Sequence, residues 1–78
     1  MKRIKKVLSK VLGIEESSIT EKTSHDNVAT WDSFNSLMLV SELENSFNIK
    51  LTTQEVVSMG SVEEIKDILE KHGVILGK

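Results

Sequence analysis

Ile4, Val7, Leu8, Val11 and Leu12 recur at i, i+3, i+4, i+7 and i+8. That spacing places side chains on one stripe of an α-helix. Gly13 is a natural stop after it. Residues 15–31 then turn polar, with Ser17, Ser18, Thr20, Thr23, Ser24, Asp26 and Asn27. They read as a long loop, and a loop of this length in a small domain is usually functional. Ile14, Ile19, Val28 and Trp31 are the apolar residues that would pin it to a core. A second helix is predicted from about Ser33 to Phe47. At about 100° per residue, Leu37, Leu39, Val40, Leu43 and Phe47 make one apolar arc, assigned to the core. Phe34 and Met38 lie off that arc, one turn apart, beside Ser41 and Asn45 and close to Ser33. This ridge has two readings: it packs under the long loop or the third helix, or it stands exposed as a recognition patch. Glu42 is expected on the solvent side. Glu44 is expected at the edge of the core arc, where it would snorkel or pair with a lysine.

Asn48 is a plausible exit from this helix, and Ile49 and Leu51 alternate with Lys50 in a short extended connection. Thr52 and Glu55 have the spacing of a capping box, which predicts a short helix from about Gln54 to Met59, ended by Gly60. Ser61 and Glu64 form a second box. It opens a helix with Val62, Ile65, Ile68 and Leu69 on one stripe and Gly73 at its end, followed by a tail Val74-Ile75-Leu76. The pattern predicts an all-α fold. It is a four-helix bundle with a long loop between helices 1 and 2 and a short third helix, in one domain over residues 1–78.

Composition narrows the chemistry. With no cysteine among its 78 residues, the chain has neither a disulfide staple nor a thiol nucleophile. His25 and His72 are far apart and fit no metal-ligand spacing, so no metal is expected. No apolar run reaches the roughly 20 residues of a membrane span, and the basic N-terminal stretch lacks the continuous apolar run of a signal peptide. A soluble, cytoplasmic protein is expected. The net charge of −2 conceals an asymmetry: Lys2, Arg3, Lys5, Lys6 and Lys10 are basic, whereas from residue 11 onward twelve acids face five bases. Nucleic-acid binding needs clustered Lys and Arg, and an acidic body opposes it. It suits basic protein partners instead. The basic N-terminal face also admits a membrane-surface reading, against solvated lysines opposite an apolar stripe.

The candidate chemistry sits at Trp31-Asp32-Ser33-Phe34. A serine at the mouth of a helix lies where unpaired first-turn amides and the macrodipole favour an anion, so a phosphate ester on Ser33 would sit in a favourable field. The plainer reading is that Asp32 or Ser33 caps the helix. A Ser33–His25–Asp32 hydrolytic triad is a third reading, but no G-x-S-x-G turn is present and a short helical chain leaves little room for a cleft. A helix-turn-helix DNA reader is opposed by the absence of Arg, Lys and Gln from residues 33–47.

Asp32-Ser33-Phe34, then Leu37, Leu39-Val40, Leu43-Glu44, Phe47 and Ile49, resembles the acyl carrier protein family, whose pattern is Asp-Ser-Leu followed by Leu-Glu-x-x-Phe-x-Ile. The likeness covers essentially the whole chain. It implies that Ser33 receives 4′-phosphopantetheine from coenzyme A through a separate phosphopantetheinyl transferase, with Asp32 helping that enzyme hold magnesium and serine in place. It implies a carrier and not an enzyme: the arm's thiol would take an acyl or aminoacyl cargo from a loading enzyme and present it to downstream enzymes. Phe34 and Met38, flanked by Glu42 and Glu55, would be the partner surface of a monomeric chain. Thr30-Trp31 stands where fatty-acid carriers have G-x before Asp-Ser, and Met38, Asn45 and Ser46 stand where they usually have acids. Trp before Asp-Ser resembles carriers of specialised pathways, and Phe34 for Leu resembles D-alanyl carriers of teichoic acid metabolism. The alternative of another class is a helical interaction module that is never modified.

Overall fold

The computed structural model describes residues 2–74, and it places four α-helices there: α1 (Lys2–Leu12), α2 (Ser33–Phe47), α3 (Thr53–Ser58) and α4 (Val62–Lys71). A single 3-10 turn, Glu16–Ser18, interrupts the loop before α2. No strand ladder occurs among the described residues, only an antiparallel bridge between Ser24 and Ser61. The all-α, four-helix expectation holds, with the third helix short. Ile75 and Leu76 of the expected tail lie outside the described residues.

Each helix starts and stops for a local reason. Asp32 Oδ1 accepts the Asn35 amide at the head of α2, and Ser61 Oγ accepts the Glu64 amide at the head of α4. Thr52 and Glu55 complete a reciprocal capping box on α3, satisfying amides that have no intrahelical acceptor. Asn48 ends α2 at φ 55°, a left-handed conformation that Asn tolerates better than most side chains, and the Ile49 amide reaches back to Glu44 O. At the end of α4, Gly73 has φ +82° while its amide bonds Glu70 O and that of Val74 bonds Leu69 O, the pair of contacts of a Schellman motif.

The core is built by Ile4, Val7, Leu8 and Leu12 from α1, Leu39, Leu43 and Phe47 from α2, and Val62, Ile65, Ile68 and Leu69 from α4. Ile19 and Trp31, from the loop, and Met59 join it, while Ile14 and Val28 pack against its edge. The loop residues predicted to pin the segment therefore do so. Arg3 stacks over the Phe47 ring, 4.3 Å from its centroid, and its guanidinium bonds Ser46 O, which ties the start of α1 to the end of α2. Two backbone bonds fasten the loop to the turn before α4: Val62 N to Thr23 O at 2.9 Å and His25 N to Gly60 O at 3.0 Å.

One assignment is corrected. Leu37 is 64% exposed, not core. Taking Leu39, Leu43 and Phe47 as the buried line, Leu37 falls about 120° from its centre at about 100° per residue. It follows Phe34 by three positions, so it joins the outer face. Val40 is half-buried at the margin. Glu44 does reach the edge of the core, but its carboxylate accepts the Leu51 amide at 2.8 Å instead of meeting a lysine.

Helix α3 buries none of its own residues fully, so polar contacts matter to its position. His72 Nε2, just beyond α4, lies 3.1 and 3.0 Å from the two Glu55 carboxylate oxygens. The Glu55 pKa is held below its ordinary value of 4.5, first by the Thr52 amide and then by the His72 side chain. A depressed carboxylate pKa gives stability that is present above the unfolded value and lost as pH falls through the folded one. Glu55→Gln should therefore lower the melting temperature at neutral pH, and the gap to the parent should close as pH falls below about 4.5. Thermal melts followed by circular dichroism across that range provide the check; a gap that is constant with pH would show that the Glu55 charge is not used.

Candidate functional site

A chain of hydrogen bonds places Ser33. Thr30 Oγ1 donates to Leu12 O at 2.7 Å, at the end of α1. Thr30 O in turn accepts Asn35 Nδ2 at 2.7 Å, and Asn35 N bonds Asp32 Oδ1 at 2.9 Å. The Asp32 carbonyl takes the Ser36 amide at 2.8 Å, the first α-helical bond of α2. Between these contacts Trp31 is buried in the core, and its indole Nε1 is enclosed without an acceptor among the described residues. The buried indole fixes the chain immediately before Asp32, so the exposed Asp32-Ser33 pair projects from an anchored base.

Ser33 is the first residue of α2 and is exposed. The amides of Ser33 and Phe34 belong to the first turn and have no carbonyl to pair with inside the helix. An oxygen ester of phosphate at Ser33 Oγ would meet these donors and the positive end of the dipole, so the residues present fit a phosphodiester-linked group. Asp32 is exposed and acts as the N-cap. The plain capping reading is thus true of Asp32, and it leaves the hydroxyl of Ser33 uncommitted to the cap.

Phe34, Leu37 and Met38 are 71%, 64% and 50% exposed, and Val57 on α3 is 81% exposed. Phe34, Leu37 and Met38 stand at i, i+3 and i+4, which makes them neighbours on one helix face. The ridge is therefore exposed and one residue larger than the sequence suggested. The acids expected to flank it are engaged internally. Glu42 is half-buried, with Oε2 3.4 Å from Lys10 Nζ on α1; Glu55 serves the α3 cap and His72.

His25 lies against Gly60, where an added Cβ would come within 2.9 Å of its ring, and its Nδ1 is 3.4 Å from Asp26 Oδ1. Asp32 orients the Asn35 amide and not an imidazole, so the structure does not assemble the triad. No group of three metal-ligating side chains occurs among the described residues. Two open grooves, of about 380 and 360 Å³, are lined by the long loop and by α3 with α4, and neither includes Ser33. No described helix is long and apolar enough to cross a membrane.

The family model for the phosphopantetheine attachment site matches residues 2–69. An acyl carrier protein from Buchnera aphidicola subsp. Baizongia pistaciae is 34% identical over 71 residues, covering 91% of each chain. The chain belongs to the acyl carrier protein family. A solved structure from Mycobacterium tuberculosis, itself assigned as an acyl carrier protein, superposes with a TM-score of 0.81 over 91% of this chain and 95% of its own, at 18% identity; that likeness speaks for the fold. As a member of this family the chain is of the type that carries a covalently attached 4′-phosphopantetheine group and is served by a phosphopantetheinyl transferase and acyl-handling enzymes.

Proposed function

We propose that this acyl carrier protein bears its phosphopantetheine on Ser33 and serves as a carrier of an acyl or aminoacyl cargo for a dedicated biosynthetic pathway in the cytoplasm. The observation that carries the reading is the exposed Ser33 at the first position of α2, with Asp32 already holding the cap. In the attachment step, Ser33 Oγ forms a bond to the phosphorus of coenzyme A nearest the pantetheine. The pyrophosphate P–O bond breaks, 3′,5′-ADP leaves, and the serine proton passes to a base of the transferase. The Asp32 carboxylate, which caps the Asn35 amide, is assigned to the transferase's magnesium and not to taking the serine proton. When bound, the group supplies a thiol that holds cargo as a thioester. Ser33 is thus a substrate, and the chain a carrier and not a catalyst.

Trp31 before Asp-Ser and the apolar α2 face support a pathway-dedicated carrier over the central fatty-acid one. Phe34 keeps an aminoacyl cargo such as D-alanine as the second reading. Intact mass after incubation with coenzyme A, magnesium and a promiscuous transferase tests the attachment. The expected result is a gain of one phosphopantetheinyl group; an unchanged mass would favour the unmodified interaction module.

A further inference from the structure

The charge of α1 is one-sided and concentrated at one end of the molecule. At about 100° per residue, Lys2, Arg3, Lys5, Lys6 and Lys10 share an arc of roughly 160°, opposite the core side chains Ile4, Val7 and Leu8. Lys2, Arg3, Lys6 and Lys10 are exposed and Lys5 is half-buried. Lys10 is paired with Glu42. Arg3 keeps its charge, because its partners are the Phe47 ring and the Ser46 carbonyl. No carboxylate among the described residues pairs with Lys2, Lys5 or Lys6, and no acid shares the first turn of α1. This basic end lies opposite Ser33, because α1 and α2 run antiparallel. Arg3 meets Phe47 at the end of α2, while Leu12 O meets Thr30 Oγ1, three residues before Ser33. At about 1.5 Å per residue, the 15 residues of α2 hold Phe47 about 21 Å from Ser33.

We propose that the basic end of α1 docks on the surface of an anionic phospholipid bilayer and holds the chain there with Ser33 turned away from the lipid. The docking stands apart from Ser33; the orientation, which leaves the arm free for enzymes, rests on Ser33 as the modified residue. Charge complementarity selects the occupant. Lys2, Lys5 and Lys6 are compact charges on flexible stems, which suit a plane of mobile headgroups. Recognition of single carboxylates on a protein favours the Arg fork, and the Arg here is already stacked on Phe47. The apolar stripe of α1 is committed to the core, so adsorption is peripheral, by charge and without insertion. Each basic residue held at such a surface strengthens adsorption by about fivefold. From residue 11 onward twelve acids face five bases, and that body is repelled from the same surface. The screening length is about 8 Å at physiological salt, whereas the domain measures 29 × 27 × 19 Å. Attraction at the near end therefore outweighs repulsion from distant acids. The same imbalance turns the acidic body, and Ser33 with it, away from the lipid.

Flotation of the full chain with vesicles provides the test. One set is phosphatidylcholine alone; the other is phosphatidylcholine and phosphatidylglycerol in equal parts. The expected result is binding to the anionic set only, present at about 0.1 M salt and lost at about 1 M, where the screening length falls from about 10 to 3 Å. Lys2→Gln/Lys5→Gln/Lys6→Gln removes charge from the basic end, and Lys22→Gln/Lys66→Gln/Lys71→Gln removes the same charge from the loop and α4. The first variant should bind the anionic set at least about tenfold more weakly than the second, and both should keep the parental far-ultraviolet circular dichroism spectrum. Equal binding to neutral vesicles, no binding to anionic ones, or a smaller difference between the two variants overturns the proposal. Polyglutamate added at equal anionic charge should displace less than half of the vesicle-bound chain; greater displacement overturns the lipid assignment in favour of an acidic protein. A phosphopantetheinyl transferase should modify the chain on anionic vesicles at the rate measured with neutral ones, and a slower rate overturns the orientation. A chain that takes no phosphopantetheine with either set fails the Ser33 reading, while flotation still decides the docking.

Discussion

Ser33→Ala should abolish the mass gain entirely, and Ser36→Ala should leave it intact. The two hydroxyls are three residues apart and share a side of α2, yet their backbones differ. Ser36 N already pairs with Asp32 O inside the helix, and Ser36 is half-buried. Ser33 is exposed at the first position, beside amides without helical acceptors. Asp32 separates two roles of the same site. Asp32→Asn keeps a side-chain oxygen to accept the Asn35 amide, so helix stability should change little; Asp32→Ala loses the cap at a cost of about 1 kcal/mol. If the carboxylate serves the transferase's magnesium, both variants should be modified far more slowly than the parent, although only the second is destabilised. Modification that persists in Ser33→Ala would sink the attachment site. Modification of Asp32→Asn at the parental rate would confine Asp32 to capping.

The elements whose signals are local were readable from the sequence. The α1 stripe, the Thr52–Glu55 box and the Asn48 exit each involve residues within four positions, and each formed as expected; of the Ser61–Glu64 box only the Ser61 cap formed, the Glu64 carboxylate taking the Gly60 amide instead. The loop anchors Ile19 and Trp31 were readable because isolated apolar residues in a polar segment have few other uses. Leu37 was misplaced because α2 is apolar on both sides: one face is core and the other a ridge, so no single stripe marks which residues belong to which. The remaining misses are long-range. The Thr23–Val62 backbone bond has no side-chain signature. Glu44 to the Leu51 amide and Glu55 to His72 depend on where a turn brings the partner. For the same reason the ties of Glu42 to Lys10 and of Glu55 to His72 could not be seen, since sequence spacing does not reveal a carboxylate's partner on another helix. The serine proposed for attachment was legible because its signal is a short motif at a helix start. The charge state of the surface around it was not.

Leu43→Ala and Leu37→Ala should have opposite consequences, although they make the same chemical change six residues apart on one helix. Leu43 has no exposed surface and lies in the buried cluster with residues of α1 and α4. Its truncation removes buried methyl groups and leaves a cavity, at a cost of about 2–5 kcal/mol. Against a total of roughly 5–15 kcal/mol for a natural domain, and less margin in a small one, this should lower Tm by roughly 10 °C or more and leave a measurable unfolded fraction at physiological temperature. Phe47→Ala should fall in the same class at about 3–5 kcal/mol, with the added loss of the Arg3 stacking contact. Leu37→Ala removes a side chain that is mostly in water and puts the best helix former in its place, so its stability should stay within about 0.5 kcal/mol of the parent. Chemical denaturation of the three variants decides the facing of α2. If Leu37→Ala proved as damaging as Leu43→Ala, Leu37 would be buried, and the apolar ridge beside Ser33 would lose its central residue.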